Sequence, residues 1–377
     1  MTAVTDLPAL DVAGRIDRLR ERFDEAQPEG PGGSPAGIDA LFVTRLVNIR
    51  YLTGFTGSAA LLLVGPDEVL FVTDGRYKDQ SADQLEAAGV PARIEISGTD
   101  QKRIVHDAAA AAGYSRVGLE AHGVTWSQQR VFASEWFPGA ELVATEGLIE
   151  RLRRVKDAGE VARIRAACGI ADTAFANVRS RLAARPSEID FALDLEFEMR
   201  RLGAAAMSFE PIVAAGPNGA KPHARPSARP IEPGELLVLD FGCMVDGYCS
   251  DMTRTVSVGD PGPEARRMYE VVAESQRAGR EAVREGVDCA AVDKACRDVI
   301  AEAGWADAFL HGTGHGVGLD IHEDPRVSTV GDAMLAPGHV VTVEPGVYLP
   351  GHGGVRIEDT VVVTEHGCRT LTRAPKS

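Results

Sequence analysis

Four carboxylates stand next to apolar strand residues, and this placement limits the fold more than any other feature. Asp240 follows LLVL, Asp251 precedes MTRTV, Glu344 closes VVTVE at a Pro-Gly corner, and Glu358 interrupts VRI and DTVVV. The pair Asp246-Gly247 is a strong two-residue turn signal, so residues 236–258 read as a β-hairpin. With the turn there, Tyr248 faces Val245, Thr253 faces Asp240, and Asp251 lies diagonal to Asp240; with the turn one residue earlier, Asp240 faces Asp251 directly. Either register puts both aspartates on one face, where like charges destabilise unless a cation lies between them. Residues 340–363 form a second hairpin with the same anomaly. Asp246 reads as the turn residue, and Asp359 as a solvated or structural neighbour. One such acid would be an exposed strand residue or half of an ion pair; four together imply bound cations.

The elements around the hairpins repeat. Helices over about 155–184 and 187–203 lead to the first hairpin, and helices over 263–285 and 288–303 lead to the second. The pattern repeats although the residues do not, which predicts a pseudo-twofold domain with the hairpins facing each other. The segment 150–184 reads as one long amphipathic helix interrupted near Gly159, with Ser187 and Asp190 boxing the start of the next. Ahead of it, strands at 38–44, 59–64, 68–74 and 91–97 and helices at 78–89 and 101–113 predict a separate α/β domain. The domain boundary falls at about 148–155, giving domains 1–150 and 151–377. EGPGGSPAG (29–37) reads as a flexible surface loop.

The stretch HGTGHGVGLDIHE places His311, His315 and His322 on one segment. A histidine pair four apart suits a zinc-binding helix, but glycines at 312, 314, 316 and 318 oppose a helix, so the segment is extended or looped. Four carboxylates and one neutral imidazole carry about four negative charges, which two divalent cations balance. Mostly oxygen donors with one nitrogen suit manganese, cobalt, magnesium or iron, and zinc less distinctively. Two such ions sharing a hydroxide and polarising a carbonyl perform hydrolysis. His223 lies in the Gly/Pro-rich GPNGAKPHARPS, seventeen residues before Asp240, where a side chain is presented to a cleft rather than packed in a core.

Composition narrows the class. Hydrophobic residues make up 44% and charged residues 25%, as in a globular protein. No run approaches the roughly eighteen apolar residues of a membrane span, and the N-terminus lacks a basic start followed by an apolar core, which predicts a cytoplasmic location. A net charge of −15 argues against nucleic acid. Six cysteines form no CxxC pair, so free thiols are expected.

The set Asp240, Asp251, His315, Glu344 and Glu358, with its flanks LDFG, GYCSDMTRT, TVEPGVY and GVRIEDT, resembles the five ligands of the dinuclear "pita-bread" metallopeptidases. NIRYLTGFTGS (48–58) and TDGRY (73–77) resemble the creatinase-type N-terminal domain of aminopeptidase P and prolidase. The likeness spans essentially the whole chain. It implies Asp240 on one metal, Asp251 and Glu358 bridging, and His315 and Glu344 on the other, with Glu344 also handling the proton of the nucleophile. His223 and His322 match histidines that contact the substrate carbonyl, Arg356 an arginine near the site, His311 a pocket-wall histidine, and Tyr348 a weaker pocket match. The resemblance implies two divalent ions (manganese first, then cobalt or zinc), proline-containing peptides as substrates and a homodimer. The expected activity is that of an Xaa-Pro aminopeptidase. Prolidase, an Xaa-Pro dipeptidase, is the alternative, and a non-catalytic pita-bread binding module the remote one.

Overall fold

The computed structural model describes residues 7–26 and 37–376, so the 29–37 stretch, Gly37 apart, lies outside the described residues. The chain forms two compact units, Leu10–Arg153 and Arg154–Ser377, and Leu7–Ala9 belong with the latter.

The first unit is built on strands β1 (Ala40–Val43), β2 (Leu61–Val64), β3 (Val69–Thr73), β4 (Arg93–Ile96), β5 (Arg116–Glu120) and β6 (Glu141–Thr145). They form one mixed sheet in the order β4-β3-β2-β1-β5-β6. Strands β1 and β3 are buried at every residue, which explains their continuous apolar runs: neither face meets water. Helices α1 (Arg15–Arg20), α2 (Leu46–Thr53), α3 (Lys78–Ala87), α4 (Gln101–Ala112), α5 (Trp126–Val131) and α6 (Leu148–Arg153) complete it. In α2, the fully buried Asn48 donates through Nδ2 to Glu120 Oε1 (2.7 Å) and Glu150 Oε1 (2.8 Å), and accepts from Arg153 Nη1 (2.7 Å). One asparagine thus ties α2, β5 and α6 together, which gives the NIRYLTG stretch a structural role.

The second unit begins where the expected long helix breaks. Rather than yielding near Gly159, the chain leaves α6 at Arg153 and restarts as α7 (Ala158–Val178), continuing as a 3₁₀ turn to Ala184. The cause is Asp157, which accepts from Glu160 N (2.8 Å) while Glu160 accepts from Asp157 N (3.0 Å), a capping box that starts a new helix. Ser187 caps α8 (Glu188–Arg201) by accepting from Asp190 N, as its sequence predicts. The strands that follow are β7 (Ala206–Met207), β8 (Ile212–Ala215), β9 (Leu236–Phe241), β10 (Cys243–Val245), β11 (Tyr248–Cys249) and β12 (Met252–Ser257). Helices α9 (Gly262–Ala282) and α10 (Cys289–Glu302) then precede β13 (Gly314–Gly316), β14 (Glu323–Val327), β15 (Val340–Val343), β16 (Gly346–Leu349), β17 (Gly353–Arg356), β18 (Asp359–Thr364) and β19 (Gly367–Thr370).

The two halves match in detail. In one, β8-β9-β12 form a sheet; in the other, β13-β15-β18 lie within a five-stranded sheet, and in both the hairpin's first strand sits between the preceding strand and its own return. This is the mixed α/β, creatinase-plus-pita-bread architecture expected. Apolar faces of α7 and α8 pack on the first sheet through Phe175, Phe191, Leu195 and Met199, and α9 and α10 cover the second through Val272, Val292, Cys296 and Ile300. All six cysteines are free. Among the described residues no helix is long and apolar enough to cross a membrane.

His339 opens β15 from beneath, 5% exposed, its Nδ1 accepting from Ala336 N (3.3 Å). Burial, and then the charges of Lys156 and Arg154, push its pKa down to about 4. Folding therefore requires the neutral ring: the stabilisation is complete above the unfolded value of about 6.5 and is lost as pH falls towards 4, because the unfolded chain takes up the proton first. We expect His339→Asn, whose side-chain carbonyl can replace Nδ1 as acceptor, to flatten the pH dependence of the urea midpoint between pH 4 and 6.5 by about one proton; an unchanged slope would contradict this.

Candidate metal and substrate site

The first hairpin adopts the first of the two registers its sequence allows. Val245 pairs with Tyr248 and Thr253 with Asp240, so Asp251 stands two residues before Thr253 on the same face. Asp246 (φ 45°) and Gly247 (φ 74°) occupy the left-handed conformations that such a turn demands. In the second hairpin Val343 pairs with Asp359 and Gly346 with Arg356, so Glu344 and Glu358 lie in the break between the two ladders.

The hairpins interlock at their acids. Thr253 Oγ1 donates to Glu358 Oε2 (2.7 Å), Glu358 N donates to Thr253 O (3.2 Å), and Thr360 Oγ1 donates to Asp251 O (2.7 Å). Asp240, Asp251 and Glu358 each bring a carboxylate oxygen within 4.8 Å of the others. Asp251 and Glu358 are 5% and 1% exposed.

His315 arrives from β13, in the position that β8 holds in the other half. Its Nε2 lies 3.3 Å from Glu344 Oε1 and 3.5 Å from Asp251 Oδ2. Its Nδ1 meets the Gly316 carbonyl at 3.0 Å. A carbonyl only accepts, so Nδ1 carries the proton and Nε2 faces the acids, the arrangement a metal-ligating histidine needs. The glycines around it answer to crowding. A Cβ on Gly314 would lie 2.1 Å from Thr342 O, and one on Gly316 2.3 Å from Asp324 O. Only a chain without side chains there passes between its neighbours.

A directed chain of hydrogen bonds leads away from Asp240. Arg356 donates through Nη2 to Asp240 Oδ2 (2.5 Å), through Nε to Thr253 Oγ1 (3.0 Å), and through Nη1 to Pro222 O (3.0 Å) and Tyr348 Oη (2.8 Å). His311 donates from Nδ1 to its neighbour's carbonyl at Gly312 (2.8 Å), which leaves Nε2 to accept from Tyr348 Oη (2.8 Å). Tyr348 is therefore fixed from both sides. The exposed His322 ring sits edge-on to His315, with centroids 4.4 Å apart. His223 is exposed and lies near enough to His311 and His322 to act on both. All ten residues singled out from the sequence thus gather around the two hairpins. Sequence reasoning missed Thr253, Thr342 and Thr360, the hydroxyls that hold the acids; Thr342 Oγ1 donates to Glu344 Oε1 (2.9 Å). Their signal was parity, since each lies two residues from a carboxylate or directly across from one.

The electrostatics of the cluster favour a cation. Burial, and then the neighbouring carboxylates, hold Asp251 and Glu358 well above the usual carboxylate range. Burial likewise raises Asp240, against the pull of Arg356. Burial works against the charged forms of Glu344 and His315 too, yet their mutual hydrogen bond and charges bring Glu344 down to about 2 and His315 up to about 9. Burial lowers His311 and His322. A direct test of fit is whether acceptors remain unused: Asp240 Oδ1 and Glu358 Oε1 are buried with no hydrogen-bond partner. Leaving such an atom unpaired costs about 1–3 kcal/mol or more, and a divalent cation satisfies both. The oxygen-rich donor set with one imidazole nitrogen fits such ions.

Comparison with known proteins agrees with this chemistry. The model of metallopeptidase family M24 matches residues 162–365, and that of the creatinase/prolidase N-terminal domain matches residues 15–155. An Xaa-Pro dipeptidase from Pyrococcus furiosus is 34% identical over 364 residues, spanning 96% of this chain and 98% of that protein. Among solved structures, the Xaa-Pro dipeptidase from Bacillus anthracis is 38% identical with a TM-score of 0.91, covering 97% of this chain and 99% of that one. The X-Pro aminopeptidase from Thermotoga maritima is 34% identical with a TM-score of 0.84, covering 90% and 97%.

We expect Mn²⁺ to raise the melting temperature of the unaltered protein and to leave that of Asp251→Asn unchanged. Without metal the variant should melt no lower than the parent, because it removes a buried like charge. Differential scanning fluorimetry with and without EDTA checks both points; a metal-dependent shift retained in Asp251→Asn would contradict the assignment.

Proposed function

The chain belongs to metallopeptidase family M24 and carries a creatinase/prolidase-type N-terminal domain, and on that premise we propose that it is an Xaa-Pro dipeptidase holding two divalent cations, manganese first among them, on Asp240, Asp251, His315, Glu344 and Glu358. The observation that carries this reading is the pair of unpartnered buried oxygens on Asp240 and Glu358 within a three-carboxylate cluster. The two activities share these motifs, and the sequence reading puts the aminopeptidase first. The relatives named Xaa-Pro dipeptidase, matched along nearly their full length, move the preference to dipeptides.

An Xaa–Pro bond is a tertiary amide with no N–H, and the ring fixes φ. A peptidase that reads its substrate as an extended strand loses a donor there, so recognition must come from the ring and the preceding carbonyl. Bound divalent ions would supply Lewis-acid activation of water and of the scissile carbonyl. Glu344, its carboxylate 3.3 Å from His315 Nε2 beside the other acids, would take up the proton that the attacking water releases, the role the family resemblance implies for it. His223 and His322, both exposed, would donate to the carbonyl oxygen as it gains charge; such a donor is worth about 3–4 kcal/mol to the transition state. Arg356 keeps Asp240 oriented and Tyr348 fixed, and Tyr348 in turn orients His311 as a wall of the substrate pocket. The proline nitrogen must gain a proton before it leaves.

The aminopeptidase reading keeps support in the likeness to the Thermotoga maritima protein. Hydrolysis of an Xaa-Pro dipeptide is therefore to be compared with that of Xaa-Pro tri- and pentapeptides in Mn²⁺. We expect cleavage of the dipeptide alone. Cleavage of the longer peptides would make the protein an aminopeptidase, and no cleavage of any of them, with metal bound, would overturn the proline-peptidase reading.

A further inference from the structure

Behind the carboxylates, on the opposite face of the same strands, lies a second cross-hairpin cluster that the chemistry above does not use. Thr253 faces the acids, and its neighbour Arg254, 1% exposed, faces away. Arg254 donates through Nη1 to the backbone carbonyls of Thr253 (2.9 Å) and Glu358, through Nη2 to Asp359 Oδ1 (3.0 Å), and through Nε to Ala374 O (3.0 Å). Asp359, 2% exposed, also accepts from Gln276 Nε2 (3.0 Å), Thr372 Oγ1 (2.9 Å) and Lys376 Nζ (2.7 Å). The segment that supplies Thr372, Ala374 and Lys376 is itself held at other points. Leu371 N donates to Thr360 O (2.9 Å), Arg373 N and Ala374 N donate to Asp172 of α7, and Lys376 Nζ reaches Gln276 Oε1 of α9 (2.5 Å).

This arrangement bears on the site because of adjacency along the chain. Asp359 follows Glu358, Arg254 follows Thr253, and Arg254 grips the carbonyl of Glu358 itself. The front of each strand carries the acids and the back carries the clamp, so a shift in the clamp moves Glu358 relative to Asp251. Groups outside the ligands that orient them tune metal affinity. We propose that the C-terminal segment Leu371–Lys376 acts through the buried Arg254–Asp359 pair as a strap that positions Glu358 and thereby sets the affinity of the site for divalent cations. Arg254, Asp359 and Lys376 are positioning residues; none of them is a ligand. The inference rests on the metal-site reading above, but not on the identity of the substrate.

A chain ending at Thr372 loses the Ala374 acceptor and the Lys376 cation. We expect its Mn²⁺ dissociation constant, from competition with a chelating dye, to rise roughly 10–100-fold, while the metal-free chain keeps the far-UV spectrum of the parent and melts lower, having also lost the bonds of Arg373 and Ala374 to Asp172. Lys376→Met should weaken Mn²⁺ in the same direction, and Lys376→Arg should restore it. A merely structural segment would lower melting with and without metal and leave the dissociation constant unchanged, which would overturn the strap. If the shortened chain does not fold, the Lys376 pair decides on the same criterion. An unaltered protein that binds Mn²⁺ but cleaves no Xaa-Pro peptide removes the proposed function and leaves the strap standing; one that binds no Mn²⁺ removes both.

Discussion

Like-charge repulsion among buried carboxylates is the constraint on which the rest of this structure depends. Asp251 and Glu358 are almost sealed from water, and Asp240 and Glu344 lie beside them. Effective desolvation penalties for buried ions amount to several kcal/mol each, and here the Coulomb term among the acids adds to them. One hydrogen-bonded arginine, Arg356, and one imidazole, His315, answer part of that charge. The remainder appears as carboxyls held far above their ordinary range and as two acceptor atoms with no donor. A polar cluster left unsatisfied in this way is held stably in one geometry only if something positive enters it.

The fold answers this constraint by dividing labour between the two faces of each strand. On one face, threonine hydroxyls fix the direction of the acids and stitch one hairpin to the other. On the other face, an arginine–aspartate pair and the C-terminal segment hold the hairpins from behind. Helices α7 to α10 bury the outer surfaces, so neither hairpin can splay without exposing apolar area. The glycine run of β13 admits His315 through a gap that no side chain would allow. Chemistry and stability thus use the same strands, in alternation set by the two-residue period of β structure.

Much of this was legible in the sequence where short-range rules are strong. Asp246-Gly247 located the first hairpin's turn to within one residue, and the pairing of Thr253 with Asp240 is one of the two registers counted from it. The second hairpin and the four helices of the repeated pattern were also legible, to within a few residues at their ends. What escaped depends on long-range context. β5 (RVGLE) and β6 (ELVAT) are short and carry charges at Arg116, Glu120 and Glu141, and they become strands by pairing, β5 beside β1 and β6 beside β5. The long helix expected from 150 breaks at 154–157, although the Asp157–Glu160 capping box was there to be read. Asp359 was open between a solvated and a structural acid; burial and four hydrogen-bonding partners make it structural. No local signal tells that Arg254 and Ala374, 120 residues apart, will meet.

The central claim is that the buried acids exist to hold a pair of cations. Anomalous diffraction at the manganese edge, from crystals grown with Mn²⁺, measures this most directly. The expected map has two peaks per chain, both bounded by Asp240, Asp251, His315, Glu344 and Glu358. A single peak, or ions bound elsewhere while these five side chains stay empty, would contradict the account.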